Sequence, residues 1–260
     1  MRLSPVILVS LVALVLGPLN AAAGGVDLSA PIVVELFTSQ ACSTCPPADA
    51  YLGQLAKRPD VLALGFHVDY WDYTGWKDPY GARFATERQR QYEKFFGLPY
   101  VYTPQMVVNG VSQGVGTDHD QIEDLLKQAA AATSAHPSLA IDRTADGGLI
   151  IHIGAAPSAK PATVWLAGFD RQQVTEVGGG ENNGRILTGY QVVRRLDSLG
   201  TWTGAALDLP VPAASIGDYL TPDRGLAVLV QSEGVGPVLA AQSLPHAPNT
   251  ESLENSHRNP

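Results

Sequence analysis

The sequence predicts an α/β domain followed by a smaller all-β domain, and three observations predict it. A buried strand, a helix and a second buried strand follow one another in about 35 residues, the spacing of a βαβ unit. From His136-Pro137 onward helical periodicity gives way to short alternating segments punctuated by Gly and Pro. The 260 residues, 45% of them hydrophobic, are enough for two modest globular domains.

The first element is a leader. Arg2 is followed by an apolar run from Val6 to Leu19 and by the small residues Ala21-Ala22-Ala23. This layout predicts a secretory signal over residues 1–23, too short for a span of about 20 apolar residues. The expected product is a secreted or periplasmic protein, with no stable membrane insertion once the signal is cleaved. In that oxidising compartment disulfides persist. The formal net charge of −8 argues against nucleic acid, whose binding needs cationic contacts to phosphate.

Residues 27–135 form the predicted α/β domain. Pro31-Ile-Val-Val-Glu-Leu-Phe37 reads as a buried strand. Pro46 to Lys57 reads as a helix, with proline tolerated in its first turn. Val61 to Val68 is a second buried strand, and Asp69 to Pro79 a loop rich in Asp, Tyr and Trp. Gly81 to Phe96 is predicted helical. Thr103 to Val108 resumes a strand, Asn109-Gly110 is a two-residue hairpin signal, and Val111 to Val115 returns. Thr117 to Thr133 is the clearest helix, with Ile122, Leu125, Leu126 and Ala129 on one face.

The all-β, sandwich-like domain is predicted over residues 137–244. Its strands are expected at Ser138–Arg143, Leu149–Ala155, Thr163–Phe169, Gln191–Leu196, Thr203–Leu209 and Leu226–Gln231. A disordered tail is expected over residues 245–260.

The chemistry centres on Cys42 and Cys45, the only two cysteines. Two are too few for a disulfide-stapled scaffold or a four-cysteine zinc site. Three readings remain open: a redox couple, half of a copper-type site completed by His67, His119 or Met106, and an inert structural disulfide. No residue is assigned as a metal ligand, and the pattern calls for no cofactor.

The order strand, CxxC, helix, strand, then Thr103-Pro104 before a hairpin and a last helix, resembles the thioredoxin fold. A thiol at a helix N-terminus meets unpaired N–H groups and the positive end of the dipole, which favour the thiolate. Cys42 is then the nucleophile and Cys45 the resolving thiol. The resemblance implies a cis Pro104 facing the cysteines and, with Thr103, positioning substrate. It also implies a buried acid six residues before the first cysteine. Leu36 stands there, and Glu35 is one residue off. Ser43 and Thr44 between the cysteines offer hydroxyls to a thiolate. The redox reading requires Cys42 to reach solvent and Pro104 to lie beside it.

Loops leaving the carboxyl ends of parallel strands gather at one sheet edge. His67, Asp69, Trp71, Asp72, Trp76 and Asp78 are therefore candidates to flank the thiols. They would serve as an aromatic binding wall, an acidic cation site, or a packed loop with His67 in the core. "ELFTSQACSTCPPAD", "HVDYWDYTGWKDPY", "YTPQMVVNG" and "GENNGRIL" together resemble the secreted bacterial family catalogued as domain of unknown function 1223. In the second domain Glu181, Asn182 and Arg185 form either a functional loop or a plain Gly/Asn connection. The predicted activity is thiol–disulfide exchange on an unidentified protein or small-molecule thiol, with an unidentified redox partner.

Overall fold

The computed structural model describes residues 30–132, 136–157 and 160–244. The predicted signal and tail lie outside the described residues. The first half runs β1 (Ile32–Thr38), α1 (Pro46–Leu55), β2 (Val61–His67), α2 (Arg83–Phe96), β3 (Gln105–Val108), β4 (Ser112–Val115) and α3 (His119–Ala131). The second half adds β5 (Leu139–Arg143), β6 (Leu149–Ile153), β7 (Ala162–Glu176), β8 (Ile186–Trp202), β9 (Leu207–Val211), one helical turn α4 (Ala213–Ile216), β10 (Arg224–Ser232) and β11 (Val238–Ser243). The fold is α/β with a β-rich C-terminal part.

β1 and β2 are parallel, from Ile32 opposite Val61 to Thr38 opposite His67, and every residue of both is buried. That is why both read as unbroken apolar runs rather than alternating ones. β3 lies antiparallel to β1 and turns into β4 through Asn109 and Gly110, both with positive φ. Those conformations suit Asn and Gly, and they match the right-handed twist of a hairpin. α3 opens with Asp118 as its cap, whose carboxylate accepts from the Gln121 N–H.

The two halves share one sheet, in the order β11-β10-β7-β8-β2-β1-β3-β4. The join is parallel, Gly65 of β2 opposite Val192 of β8. A Cβ on Gly65 would lie 2.8 Å from the Tyr190 carbonyl oxygen. Only glycine lets the two backbones come this close. Under α2 a single apolar cluster draws Phe37, Leu64 and Phe66 from one half and Phe169, Val193 and Leu229 from the other. α1 and α3 cover the opposite face of β1 and β3. A second small sheet, β5-β6-β9, packs its Leu149, Ile151 and Val211 against Leu166, Val228 and Val230.

Two features differ from the expected strands. β7 and β8 run on as a ribbon to Glu176 opposite Ile186, well past the predicted Thr163–Phe169 and Gln191–Leu196. The extension alternates between partly buried and exposed residues and is largely polar, so its apolar signal is weak. β11 is an additional strand on β10, within an Ala-rich stretch of low β-propensity.

Candidate functional site

Cys42 and Cys45 are joined in a disulfide at the β1–α1 junction, their Cα atoms 5.5 Å apart. α1 begins at Pro46, with Cys45 in the capping position. This corrects the sequence expectation: Cys42 lies one turn ahead of the helix rather than at its start. α1 itself starts where the sequence placed it, at Pro46, since proline suits the first turn of a helix.

The Thr103–Pro104 peptide bond is cis. The Thr103 carbonyl oxygen lies 4.0 Å from the Cys42 sulfur, and the Thr44 hydroxyl is 3.4 Å from the same atom. Pro104 is therefore beside the disulfide. Access is another matter: Cys42 is 1% exposed and Cys45 0%. The requirement that Cys42 reach solvent is not met with the disulfide formed.

The aromatic loop braces the segment after β1 and the segment before β3. Trp71 donates its indole N–H to the Thr103 hydroxyl at 2.8 Å, and Trp76 donates to the Gln40 side-chain oxygen at 3.2 Å. Tyr73 stacks on Trp71 and is largely exposed. The three acids do not converge on one point. Asp69 accepts from the Thr86 hydroxyl, Asp72 from the Asp78 N–H, and Asp78 from the Gln40 N–H. His67 belongs to the core, as the third reading of this loop has it. It is 3% exposed and pairs through Nδ1 with Asp78 at 2.7 Å. His119 stacks on Tyr51, and Met106 is packed beneath α1 and α3. Among the described residues no group of three or more His, Cys, Asp or Glu is arranged to hold a metal.

Electrostatics separate the acids. Burial works against the charge on Asp78, but His67 and the N–H groups of Gln40 and Tyr80 hold its carboxyl below the usual carboxylate range. Burial likewise works against the His67 cation, and the Asp78 carboxylate overrides it and raises the imidazole. Asp49 is different. It lies one helical turn beyond Cys45, and its N–H bonds to the Cys45 carbonyl at 3.1 Å. Burial pushes its carboxyl up to about 7, against the opposing pull of His67 and the Thr38 hydroxyl. The groups that act on this carboxyl are His67, Thr38 and Asp78.

Glu35, one residue off the acid position that the resemblance implies, is on the other face. Its carboxylate is held by the Arg88 guanidinium and by the Tyr92 hydroxyl, under α2. In a strand one residue of offset reverses the facing, so the position next to the family's acid faces away from the cysteines. Asp49 was legible by its helical spacing from Cys45.

The second-domain loop reaches the site across 138 to 142 positions of chain. Asn182 is fully buried and donates to the carbonyls of Gln40, at 2.8 Å, and Cys42, at 2.9 Å. Glu181 accepts from the Ser43 N–H at 3.1 Å. Arg185 donates to the Asn182 side-chain oxygen at 2.7 Å rather than to Glu181. These contacts tie the loop to the CxxC turn.

Fold and site together define an α/β protein whose CxxC disulfide sits at a strand–helix junction beneath a loop from its β-rich half. The chain belongs to the family described as protein of unknown function (DUF1223), whose model matches residues 33–231. It is similar to the crystal structure of protein AGR_C_4864 from Agrobacterium tumefaciens, with 30% sequence identity and a TM-score of 0.70. That match covers 84% of this chain and 95% of the other. No curated protein matches.

Proposed function

We propose that this protein is an exported thiol–disulfide oxidoreductase of thioredoxin-like type, acting through Cys42 and Cys45. The observation that carries the reading is the setting of the disulfide. The two cysteines are bonded to each other at the β1–α1 junction, and the Cys42 sulfur meets the Thr44 hydroxyl and the Thr103 carbonyl. A substrate thiolate attacks the Cys42 sulfur, the Cys42–Cys45 bond breaks, and Cys45 leaves as thiolate. A second substrate thiolate then attacks the mixed disulfide at the substrate sulfur. The substrate leaves oxidised, Cys42 leaves as thiolate, and two protons remain with the protein. Run backwards, the same steps reduce a substrate disulfide. Thr103 and Pro104 orient the substrate, and Trp71 holds Thr103 in place.

Cys45→Ser tests the assignment. Presented with a peptide disulfide, the variant accumulates a stable mixed disulfide through Cys42, and Cys42→Ser forms none. Absence of any adduct in Cys45→Ser removes the enzyme reading. One observation favours a second reading, a structural disulfide: both sulfurs are buried. On that reading Cys42 stays unreactive even in the Cys45→Ser variant.

A further inference from the structure

The contacts on the CxxC turn that cross the longest stretch of chain come from the tip of the β7–β8 ribbon. Asn182 spans two carbonyls of the turn, one of them belonging to Cys42, and Glu181 takes the N–H of Ser43 between the cysteines. The loop also lies flat on the aromatic loop. A Cβ on Gly179 would stand 2.4 Å from the Gly75 carbonyl oxygen, and one on Gly178 would be 3.2 Å from the Trp76 ring. Gly179 itself is in extended backbone, φ −171°, which any residue adopts. Its lack of a side chain is therefore about contact with Gly75, not about conformation. Beyond Val177 and Asn182 the loop buries little, and its Glu181 contact is at the surface. Segments with few buried apolar groups open locally at low cost.

We propose that loop 177–185 is a gate over the Cys42–Cys45 disulfide. Asn182 is its positioning residue, and Gly179 is the contact that lets it close. Closed, the gate keeps the Cys42 sulfur from small thiols and holds the turn in its oxidised form. Displaced, it frees the Gln40 and Cys42 carbonyls and the Ser43 N–H for an incoming polypeptide, whose main chain carries matching donors and acceptors. The gate rests on the redox reading only for its use; its existence is a matter of access.

The test is the rate at which a water-soluble phosphine reduces the disulfide in wild type, Gly179→Ala and Asn182→Ala. Phosphorus attacks one sulfur and the S–S bond breaks. Water then supplies the oxygen of the phosphine oxide and the two protons that end on Cys42 and Cys45. Rates are read well below each variant's unfolding midpoint, and hydrogen exchange at the Ser43 N–H reports whether the loop has moved. Both variants are expected to reduce roughly tenfold or more faster than wild type, with faster Ser43 exchange. Unchanged reduction in variants whose Ser43 exchange has risen overturns the gate. Should Gly179→Ala not fold, Asn182→Ala carries the test by itself. Faster reduction without exchange onto a peptide disulfide keeps the gate and removes the oxidoreductase reading. Exchange in wild type with no rate change in the variants does the reverse.

Discussion

Two buried polar clusters sit on opposite faces of the same sheet, and they are built differently. Under α2, Glu35 meets the Arg88 guanidinium, the Tyr92 hydroxyl bonds the same carboxylate, and Gln231 of β10 accepts from Arg88 at 2.8 Å. Charge is matched and hydrogen bonds are complete, and the cluster ties the two halves together. Under α1, His67 and Asp78 pair, while Asp49 has no ion pair among the described residues and holds its proton up to about 7. The first cluster is satisfied and structural. The second has an acid left to titrate, four residues along the chain from Cys45. A buried charge is inert when it is paired and available for chemistry when it is not.

The contrast is broken most severely by Arg88→Met. It strips the counter-charge from Glu35, and losing one partner of a buried pair costs about 3–5 kcal/mol. Urea unfolding should show that loss, while the phosphine reduction rate of the native disulfide stays near wild type. A large change in that rate would mean the two faces are coupled.

Asp49→Asn sharpens the other side. The folded state holds the Asp49 proton up to about 7, and the unfolded chain releases it near 3.8. Between those values the folded state binds more protons, so wild-type stability falls as pH rises, then levels off above about 7. His67, raised above its ordinary value, adds stability that is present below 6.5 and is lost as pH rises through its folded value. Unfolding midpoints at pH 5 and at alkaline pH should therefore draw closer in Asp49→Asn, leaving the His67 part of the slope, while at more acid pH the lowered Asp78 carboxyl adds a slope of opposite sign. An unaltered slope would deny Asp49 its raised value.

The smallest effect is expected from Glu181→Gln. It keeps an oxygen for the Ser43 N–H and removes only the charge at an exposed contact. Phosphine reduction should speed up less than in Asn182→Ala. An effect equal to that of Asn182→Ala would move the gate's anchor to the surface.

Much of the first half was readable because its signals are local. Continuous apolar runs marked β1 and β2, Asn109-Gly110 marked the hairpin, and proline marked the start of α1. The facing of Glu35 was not readable from the same signals. The apolar run does not say which face a residue takes, and one position of offset decides it. The single sheet was not readable, although Gly65 inside a buried strand is the type of residue that marks close backbone approach. The gate was the least visible. Glu181 and Asn182 read either as a functional loop or as a plain turn, and their partners lie 138 to 142 positions away, where spacing carries no information.

The central claim is that Cys42 and Cys45 are a working redox couple, and its most direct measurement is the reduction potential of their disulfide. Equilibration against dithiothreitol redox buffers reads it whether the gate is fast or slow. The account predicts a potential above about −300 mV, in the range of exchange-active disulfides, with turnover of a peptide disulfide. A potential below about −300 mV with no turnover would make the bond a permanent staple and contradict the account.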